Sequence, residues 1–132
     1  MKAVILAAGL GTRMRPLTDR TAKPALPVLN EPLIVRTLRA LKHAGVSEVM
    51  INLHHRPDSI RSAIPHGDLG LKIRYSREPA ILGTGGALLK VRGWVGRDPV
   101  IVVNGDVIFD FDLKALVASH RRTMALATLA LK

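Results

Sequence analysis

The chain has 132 residues, no cysteine and a formal net charge of +10 at pH 7, with 20 lysines and arginines against 10 acidic residues. The lack of cysteine excludes disulfides, zinc-thiolate sites and thiol catalysis, and no apolar run approaches the ~20 residues of a membrane span. We therefore expect one cytoplasmic domain without membrane contact, whose positive surface attracts phosphate-rich ligands.

Hydrophobic periodicity predicts an alternation of strands and helices. The predicted strands cover approximately residues 2–8, 47–53, 71–76, 99–104 and 124–131. The predicted helices cover approximately 32–44, 57–64, 84–93 and a segment capped by Asp112. Two strand sequences, 49–51 and 100–103, are apolar on both faces, as in parallel strands covered by helices. This pattern predicts an α/β fold with a Rossmann-like, doubly wound, mostly parallel sheet, whose ligands bind at the carboxyl ends of its strands.

A glycine-rich turn follows the first predicted strand. Gly9 and Gly11 can take positive φ and let backbone N–H groups approach an anion closely, while Thr12 adds a hydroxyl and Arg13 a forked guanidinium. Met14 stands where a dinucleotide-binding fingerprint needs a third glycine, and the Gly-Lys-Ser/Thr of a P-loop is absent. The turn predicts a phosphate cradle, although two glycines after a strand are equally typical of a plain strand-to-loop turn.

A second glycine-rich segment follows the third predicted strand and reads Glu-Pro-Ala-Ile-Leu-Gly-Thr-Gly-Gly-Ala at 78–87. A helix entered through Gly-Thr-Gly-Gly lets a flat base lie close against the backbone, and the free N–H groups of its first turn suit the polar edge of a base. A Thr-capped helix start without a ligand explains the pattern equally well.

A carboxylate ends the fourth predicted strand, in the sequence Val-Asn-Gly-Asp at 103–106. Charge at the end of an apolar strand is costly inside a core, so Asp106 is expected to face the ligand crevice, where a hard cation such as Mg²⁺ stabilises it. The alternative is an ordinary Asn-Gly-Asp turn. The nearby Asp110 and Asp112 are better explained as turn and helix-cap residues.

The first glycine turn is part of a longer signature. Residues 9–18, Gly-Leu-Gly-Thr-Arg-Met-Arg-Pro-Leu-Thr, and 23–28, Lys-Pro-Ala-Leu-Pro-Val, resemble the N-terminal signature of the sugar-1-phosphate nucleotidyltransferases, the NDP-sugar pyrophosphorylases. His54 and His55, together with Leu-Gly-Thr at 82–84, are similar to the branch of mannose-1-phosphate guanylyltransferases and N-acetylmuramate-1-phosphate uridylyltransferases, which favours GTP or UTP. The two histidines are not expected to share a metal ion, because adjacent residues at a strand end point to opposite faces.

The resemblance implies nucleotidyl transfer from a nucleoside triphosphate to a sugar 1-phosphate, with Mg²⁺ as cofactor and release of pyrophosphate. It implies phosphate contacts and a catalytic role for Arg13 and Lys23, and metal ligation by Asp106. The nucleotide-binding positions that it implies are Leu6, Ala8, Gly9, Gly11, Thr12, Glu78, Gly83 and Thr84. Glu78 favours a base edge that presents donors, as guanine does, and Arg15 is interpreted as a solvated loop charge.

Members of this family continue well beyond the length of this chain, and the later part supplies their second metal-binding acid and most sugar contacts. The resemblance therefore implies that residues 1–132 are the nucleotide-binding N-terminal part of a nucleotidyltransferase domain, an apparently truncated nucleotide-diphospho-sugar transferase fold. The predicted strand 124–131 is expected to be shielded in a homo-oligomer or completed by a complementing C-terminal chain. The alternative function is a nucleotide-binding module without turnover.

A nucleic-acid binder is a further alternative, because the charge is strongly positive. The basic residues are scattered rather than gathered in one segment, and one Trp, one Tyr and two Phe are too few to form a stacking surface. A solvated basic surface that meets a phosphate-rich small substrate is therefore favoured over DNA or RNA.

Overall fold

The computed structural model describes residues 1–65 and 69–131. Its strands are β1 (Lys2–Leu6), β2 (Pro27–Val28), β3 (Glu31–Pro32), β4 (Glu48–Leu53), β5 (Lys72–Arg77) and β6 (Val100–Asn104). Its α-helices are α1 (Leu33–His43), α2 (Pro57–Ala63), α3 (Gly83–Val95) and α4 (Leu113–Thr123). Three short 3-10 turns, Thr12–Met14, Leu17–Asp19 and Lys23–Ala25, lie between β1 and β2. None of the helices in the described ranges has the length and apolar character needed to cross a membrane.

Four parallel strands form the central sheet, in the order β5-β4-β1-β6. Ile5 of β1 pairs with Ile51 on one side and with Val103 on the other. The chain builds the sheet outward from β1 in one direction and then crosses to the opposite side of β1 for β6. Such a reversal opens a crevice at the carboxyl ends of the strands. The structure therefore confirms the predicted α/β fold and its parallel sheet.

Helices cover both faces of the sheet. On one face α1 contributes Ile34, Leu38 and Leu41, a 3.6-residue repeat that packs with Ile5 and Ile51 in the larger core. The same core receives α2 and the beginning of α4. On the other face α3 packs against β1 and β4 in a smaller cluster. The segments that leave the carboxyl end of the sheet therefore start from a sheet that is packed on both faces.

One predicted strand is wrong. Residues 124–131 contain no strand: α4 ends at Thr123, and Leu126, Leu129 and Leu131 lie exposed in irregular backbone. An alternating apolar sequence becomes a strand only where a neighbouring strand pairs with it. Among residues 1–65 and 69–131 no such neighbour lies beside this segment.

The expectation that residues 100–103 are covered on both faces is also wrong. β6 is an edge strand, and Val102 remains 40% exposed. Ile101 and Val103, on the opposite face, pack partly buried against the larger core. The difference arises because α3 packs mainly over β1 and β4, while the run at 49–51 lies in an interior strand and is buried as predicted.

Candidate functional site

A cavity of about 550 Å³ opens at the carboxyl ends of the four parallel strands. Its walls come from residues 6–14 after β1, from the 3-10 turn at Lys23, from the ends of β4 and β6, and from the segment between β5 and α3. All of the site residues predicted from the sequence lie on these walls: Leu6, Ala8, Gly9, Gly11, Thr12, Arg13, Lys23, Glu78, Gly83, Thr84 and Asp106. The fold thus brings together segments that are distant in the sequence.

The glycine turn has a fixed shape because of Gly11. This residue has φ of 65°, and a Cβ atom there would lie 2.9 Å from the Cγ2 of Thr18. The Oγ1 of the buried Thr18 donates a hydrogen bond to the carbonyl of Gly11 at 2.9 Å. Gly9 does not take a positive φ, but no heavy atom of the part of the chain that the structure describes lies within 4 Å of where its Cβ would be. Glycine at position 11 therefore shapes the turn, whereas glycine at position 9 leaves space beside it.

Arg13 projects from this turn with an exposed side chain. Within residues 1–65 and 69–131 it has no side-chain hydrogen bond and no ion pair, so its guanidinium is available to an anion in the cavity. Its neighbour Arg15 pairs instead with Asp19 at 3.4 Å on the surface, where both side chains are mostly exposed. That contact agrees with the interpretation of Arg15 as a solvated loop charge.

Lys23 and Asp106 form an ion pair inside the cavity. The Nζ of Lys23 lies 2.7 Å from the Oδ2 of Asp106, and both side chains are partly buried. The neighbouring Gly105 lies close to the end of β1: its N–H donates to the carbonyl of Leu6 at 2.9 Å, and a Cβ there would lie 3.1 Å from the Cγ2 of Ile5. The Asn-Gly-Asp segment therefore does more than turn the chain, because it packs Gly105 against the end of β1 and places Asp106 beside Lys23.

The oxygen atoms that line the cavity can supply only some of the ligands that Mg²⁺ needs. No group of three or more His, Asp or Glu side chains in the described ranges is arranged to hold a metal ion. Asp106 and Asn104 offer oxygen atoms at one end of the cavity. Mg²⁺ is commonly bound by one or two carboxylates, with substrate phosphates and water completing the octahedron. These residues suit a metal ion that is shared with a bound phosphate.

Glu78 lies on the cavity wall, but its carboxylate already has protein partners. The residue is 2% exposed; its Oε1 accepts from the Nδ2 of Asn52 at 2.8 Å and its Oε2 from the N–H of Leu82 at 3.2 Å. The sequence analysis did not select Asn52, which also lines the cavity. The available signal was an amide side chain within the otherwise apolar sequence of β4. The predicted direct contact between Glu78 and a base edge stays a prediction, and its environment favours a different role.

The beginning of α3 is open to the cavity. Leu82 occupies the N-cap position, and no side chain of the described residues caps the helix, so the alternative of a Thr-capped start is wrong. Gly83, with φ of 69°, and Thr84 are both exposed. The half-exposed Ile81, which the sequence analysis also missed, adds an apolar surface beside them. Backbone N–H groups of a first helical turn next to an apolar side chain suit a flat ring with polar edges.

The two adjacent histidines hold different segments. His54 Nδ1 lies 2.8 Å from the carbonyl oxygen of Glu78, and His55 Nε2 lies 2.7 Å from the carbonyl oxygen of Thr18. Each ring nitrogen donates to a main-chain acceptor, so the histidines are structural. These contacts agree with the interpretation of both residues as structural, and the expectation that they do not share a metal ion stays a prediction.

Comparison with known proteins gives consistent matches. The sequence profile of the family described as nucleotidyl transferase matches residues 2–132. The N-acetylmuramate alpha-1-phosphate uridylyltransferase of Neisseria meningitidis serogroup B is 48% identical over 117 residues, which cover 87% of this chain and 51% of that protein. The mannose-1-phosphate guanylyltransferase of Mycobacterium tuberculosis is 38% identical over 130 residues, which cover 98% of this chain and 36% of that protein.

A solved structure shows the same fold. The UDP-glucose pyrophosphorylase from Acinetobacter baumannii superposes with a TM-score of 0.86 at 24% identity, covering 94% of this chain and 53% of that one. This chain therefore spans about half the length of that structure and of the Neisseria relative, and about a third of the Mycobacterium relative.

Proposed function

The chain belongs to the nucleotidyl transferase family, and from that premise we propose that residues 1–132 are the nucleotide-binding N-terminal part of a sugar-1-phosphate nucleotidyltransferase. The observation that carries the proposal is the convergence of the glycine turn, Arg13, Lys23, Asp106 and the beginning of α3 on one cavity. In the proposed reaction a phosphate oxygen of a sugar 1-phosphate attacks the α-phosphorus of a nucleoside triphosphate, and pyrophosphate leaves. This chemistry needs no side-chain nucleophile, so positioning and charge supply the rate enhancement.

The phosphate-binding part of the proposal rests on the turn at Gly11 and on two cations. The turn is held by Thr18, which keeps the backbone in place for a triphosphate. Arg13 presents a guanidinium without an ion-pair partner in the described ranges, and its fork matches phosphate oxygens. We assign to both Arg13 and Lys23 the neutralisation of charge that develops as pyrophosphate leaves.

Asp106 is the proposed metal ligand. When bound, Mg²⁺ would supply positive charge at the phosphates as a Lewis acid. In the free protein the carboxylate of Asp106 is engaged by Lys23 at 2.7 Å. With a triphosphate and its metal bound, Lys23 would be paired with a phosphate oxygen and Asp106 would hold the cation, so each partner would keep a counter-charge. The ion pair therefore keeps two otherwise unpaired charges neutral until the ligand arrives.

The segment 81–84 is the proposed site of the nucleotide base. Its open N-terminal backbone and the apolar Ile81 suit a heterocycle, and Leu6, Ala8, Gly9 and Thr12 line the same cavity. The two sequence relatives are described as a uridylyltransferase and a guanylyltransferase. These descriptions support UTP or GTP as the nucleotide and a sugar 1-phosphate as the acceptor.

The alternative, a nucleotide-binding module without turnover, is less favoured, because both sequence relatives are described as transferases. A homo-oligomer or a complementing C-terminal chain stays a prediction. So does the cytoplasmic location, for which the cysteine-free sequence is the support.

Pyrophosphate release tests the proposal. The purified chain is incubated with Mg²⁺, with GTP or UTP, and with mannose 1-phosphate, glucose 1-phosphate or N-acetylmuramate 1-phosphate. Release that requires both a triphosphate and a sugar 1-phosphate is the expected result. Triphosphate binding without release under any combination supports the module instead. A chain that binds none of the triphosphates contradicts both.

A further inference from the structure

We propose that the buried side chains of Asn52 and Glu78 form a hydrogen-bond relay between the two sides of the cavity. The relay fixes the turn at Gly11, the proposed phosphate side, relative to segment 81–84, the proposed base side. It thereby determines which base is accepted. The inference rests on the proposed function and deepens it. It assigns to Glu78 a positioning role in place of direct contact with the base. It also gives a role to Asn52, a residue that the motif at 78–84 does not include.

The relay connects two main-chain N–H groups through two side chains. The Oδ1 of Asn52 accepts from the N–H of Ala7 at 2.5 Å, and its Nδ2 donates to the Oε1 of Glu78 at 2.8 Å. The Oε2 of Glu78 then accepts from the N–H of Leu82 at 3.2 Å. Ala7 leads into the glycine turn, and Leu82 is the N-cap of α3. The two segments that are proposed to hold phosphates and base are therefore joined through a continuous chain of three hydrogen bonds.

Burial makes this connection rigid. Asn52 is 4% exposed and Glu78 is 2% exposed, so neither side chain has water as a ready substitute partner. The main chain of Glu78 is held as well: its N–H donates to the carbonyl of Leu53 at 2.7 Å, and its carbonyl accepts from His54 at 2.8 Å. Turning the carboxylate toward a ligand would leave the buried amide donor of Asn52 unsatisfied and would also break the partly buried hydrogen bond from the N–H of Leu82. This is the reason to prefer positioning over direct contact.

The hydrogen bonds of the relay also fix which groups at positions 52 and 78 must donate and which must accept. Position 78 faces two donors, the Nδ2 of Asn52 and the N–H of Leu82, so it needs two acceptor oxygens, which a carboxylate has and an amide lacks. Position 52 needs one acceptor toward Ala7 and one donor toward Glu78. One other pair of similar size satisfies the same geometry: an aspartate at 52 and a glutamine at 78. The aspartate then accepts from both Ala7 and the glutamine amide, and the glutamine carbonyl accepts from Leu82.

This exchange provides the test, with Asn52→Asp, Glu78→Gln and the double variant Asn52→Asp/Glu78→Gln. In Asn52→Asp two carboxylates face each other and repel. In Glu78→Gln the new amide N–H₂ group faces another hydrogen-bond donor, so one hydrogen bond of the relay is lost. Each single variant is expected to weaken binding of the preferred triphosphate on the order of tenfold, and the double variant to recover most of that loss. Isothermal titration with GTP, UTP, ATP and dTTP measures both the affinity and the preference among bases.

Inorganic tripolyphosphate separates positioning from general damage, because it carries the phosphates without a base. The single variants are expected to bind it much as the unmodified protein does, since Thr18 holds the glycine turn independently of the relay. They are expected to lose preference among the four triphosphates at the same time. The double variant is expected to regain that preference and to melt at a higher temperature than either single variant.

Several results would overturn the relay. One is a double variant whose melting temperature or triphosphate affinity is no higher than that of the single variants. A double variant that fails to fold counts as the same result. Another is a changed base preference in Glu78→Gln alone, with Asn52→Asp unaffected, which would indicate direct base contact. A third is unchanged preference in every variant while the unmodified protein binds triphosphate normally. An unmodified protein that binds no triphosphate contradicts instead the proposed function itself.

Discussion

The two sides of the cavity are built on opposite principles. The proposed phosphate side, around the turn at Gly11, holds exchangeable charges: Arg13 is exposed, and Lys23 and Asp106 neutralise each other in a partly buried ion pair. The base side is held by Asn52 and Glu78, which are almost completely buried and hydrogen-bonded to main-chain groups. Charges that can change partners suit the release of a charged product, whereas a fixed frame suits selection among bases of similar size. The difference leads us to expect rate effects from the first side and selectivity effects from the second.

The largest effect is expected from Arg13→Ala. The variant removes the free guanidinium of the phosphate side, so the rate of pyrophosphate release should fall on the order of 100-fold or more, with little change in melting temperature. Arg20→Ala is the matched control, because Arg20 is an exposed arginine of the same loop that does not line the cavity. Normal turnover in Arg13→Ala would show that the guanidinium on the phosphate side does not determine the rate, and the contrast between the two sides would then not hold.

A smaller effect is expected from Gly11→Ala. A Cβ at this position would lie 2.9 Å from the Cγ2 of Thr18, and the backbone has φ of 65°, so the free energy of unfolding should fall by about 1–3 kcal/mol. Gly9→Ala is the control for stability, since a Cβ at position 9 would meet no heavy atom within 4 Å and the φ of Gly9 is not positive. Urea denaturation distinguishes the two, and equal losses would show that the turn is not held as described.

Lys23→Met tests whether the ion pair competes with the metal. Removing the ammonium frees Asp106, so Mn²⁺ should bind about fivefold more tightly to the nucleotide-free variant, as expected for a partly exposed pair worth about 1 kcal/mol. Electron paramagnetic resonance of free Mn²⁺ measures this without turnover. Lys114→Met removes the same charge from the exposed face of α4 and controls for the general field. Asp106→Asn should weaken the binding, and an unchanged affinity in both cavity variants would show that Asp106 does not bind the metal in the nucleotide-free protein.

The smallest effect is expected from Arg15→Gln. The pair with Asp19 is mostly exposed on both sides, so its loss should change the free energy of unfolding by at most about 0.5 kcal/mol and leave pyrophosphate release unaltered. This variant distinguishes the effect of a charge near the glycine turn from the effect of a charge that faces the cavity. A rate loss comparable to that of Arg13→Ala would mean that general positive charge, rather than geometry, determines the rate.

The sequence predicted the parts of the molecule whose causes are local. The apolar run of β1, the glycine turn and the end of β6 all carry short patterns, and the parallel sheet then brings their ends together. The helix cap at Asp112 is another local feature, and the structure confirms it, since its carboxylate accepts from the N–H groups of Lys114 and Ala115.

Features that depend on distant partners were not predictable in the same way. Asn52 acts through Ala7 and Glu78, which are far from it in sequence, so only an isolated amide in an apolar strand marked it. The exposure of Val102 depends on which strand lies at the sheet edge, and the irregular backbone of 124–131 depends on the lack of a pairing strand within the described ranges. Periodicity reports what a segment can form, and its neighbours decide what it does form.

The most direct test of the central claim is a crystal structure with Mg²⁺ and a non-hydrolysable analogue of the triphosphate that binds most tightly. We predict that the triphosphate lies against the turn at Gly11 and contacts Arg13, that Lys23 has left Asp106 for a phosphate oxygen, and that Asn52 and Glu78 keep their hydrogen bonds. A triphosphate bound outside this cavity, or bound within it while the 2.7 Å ion pair between Lys23 and Asp106 stays intact, would contradict the account.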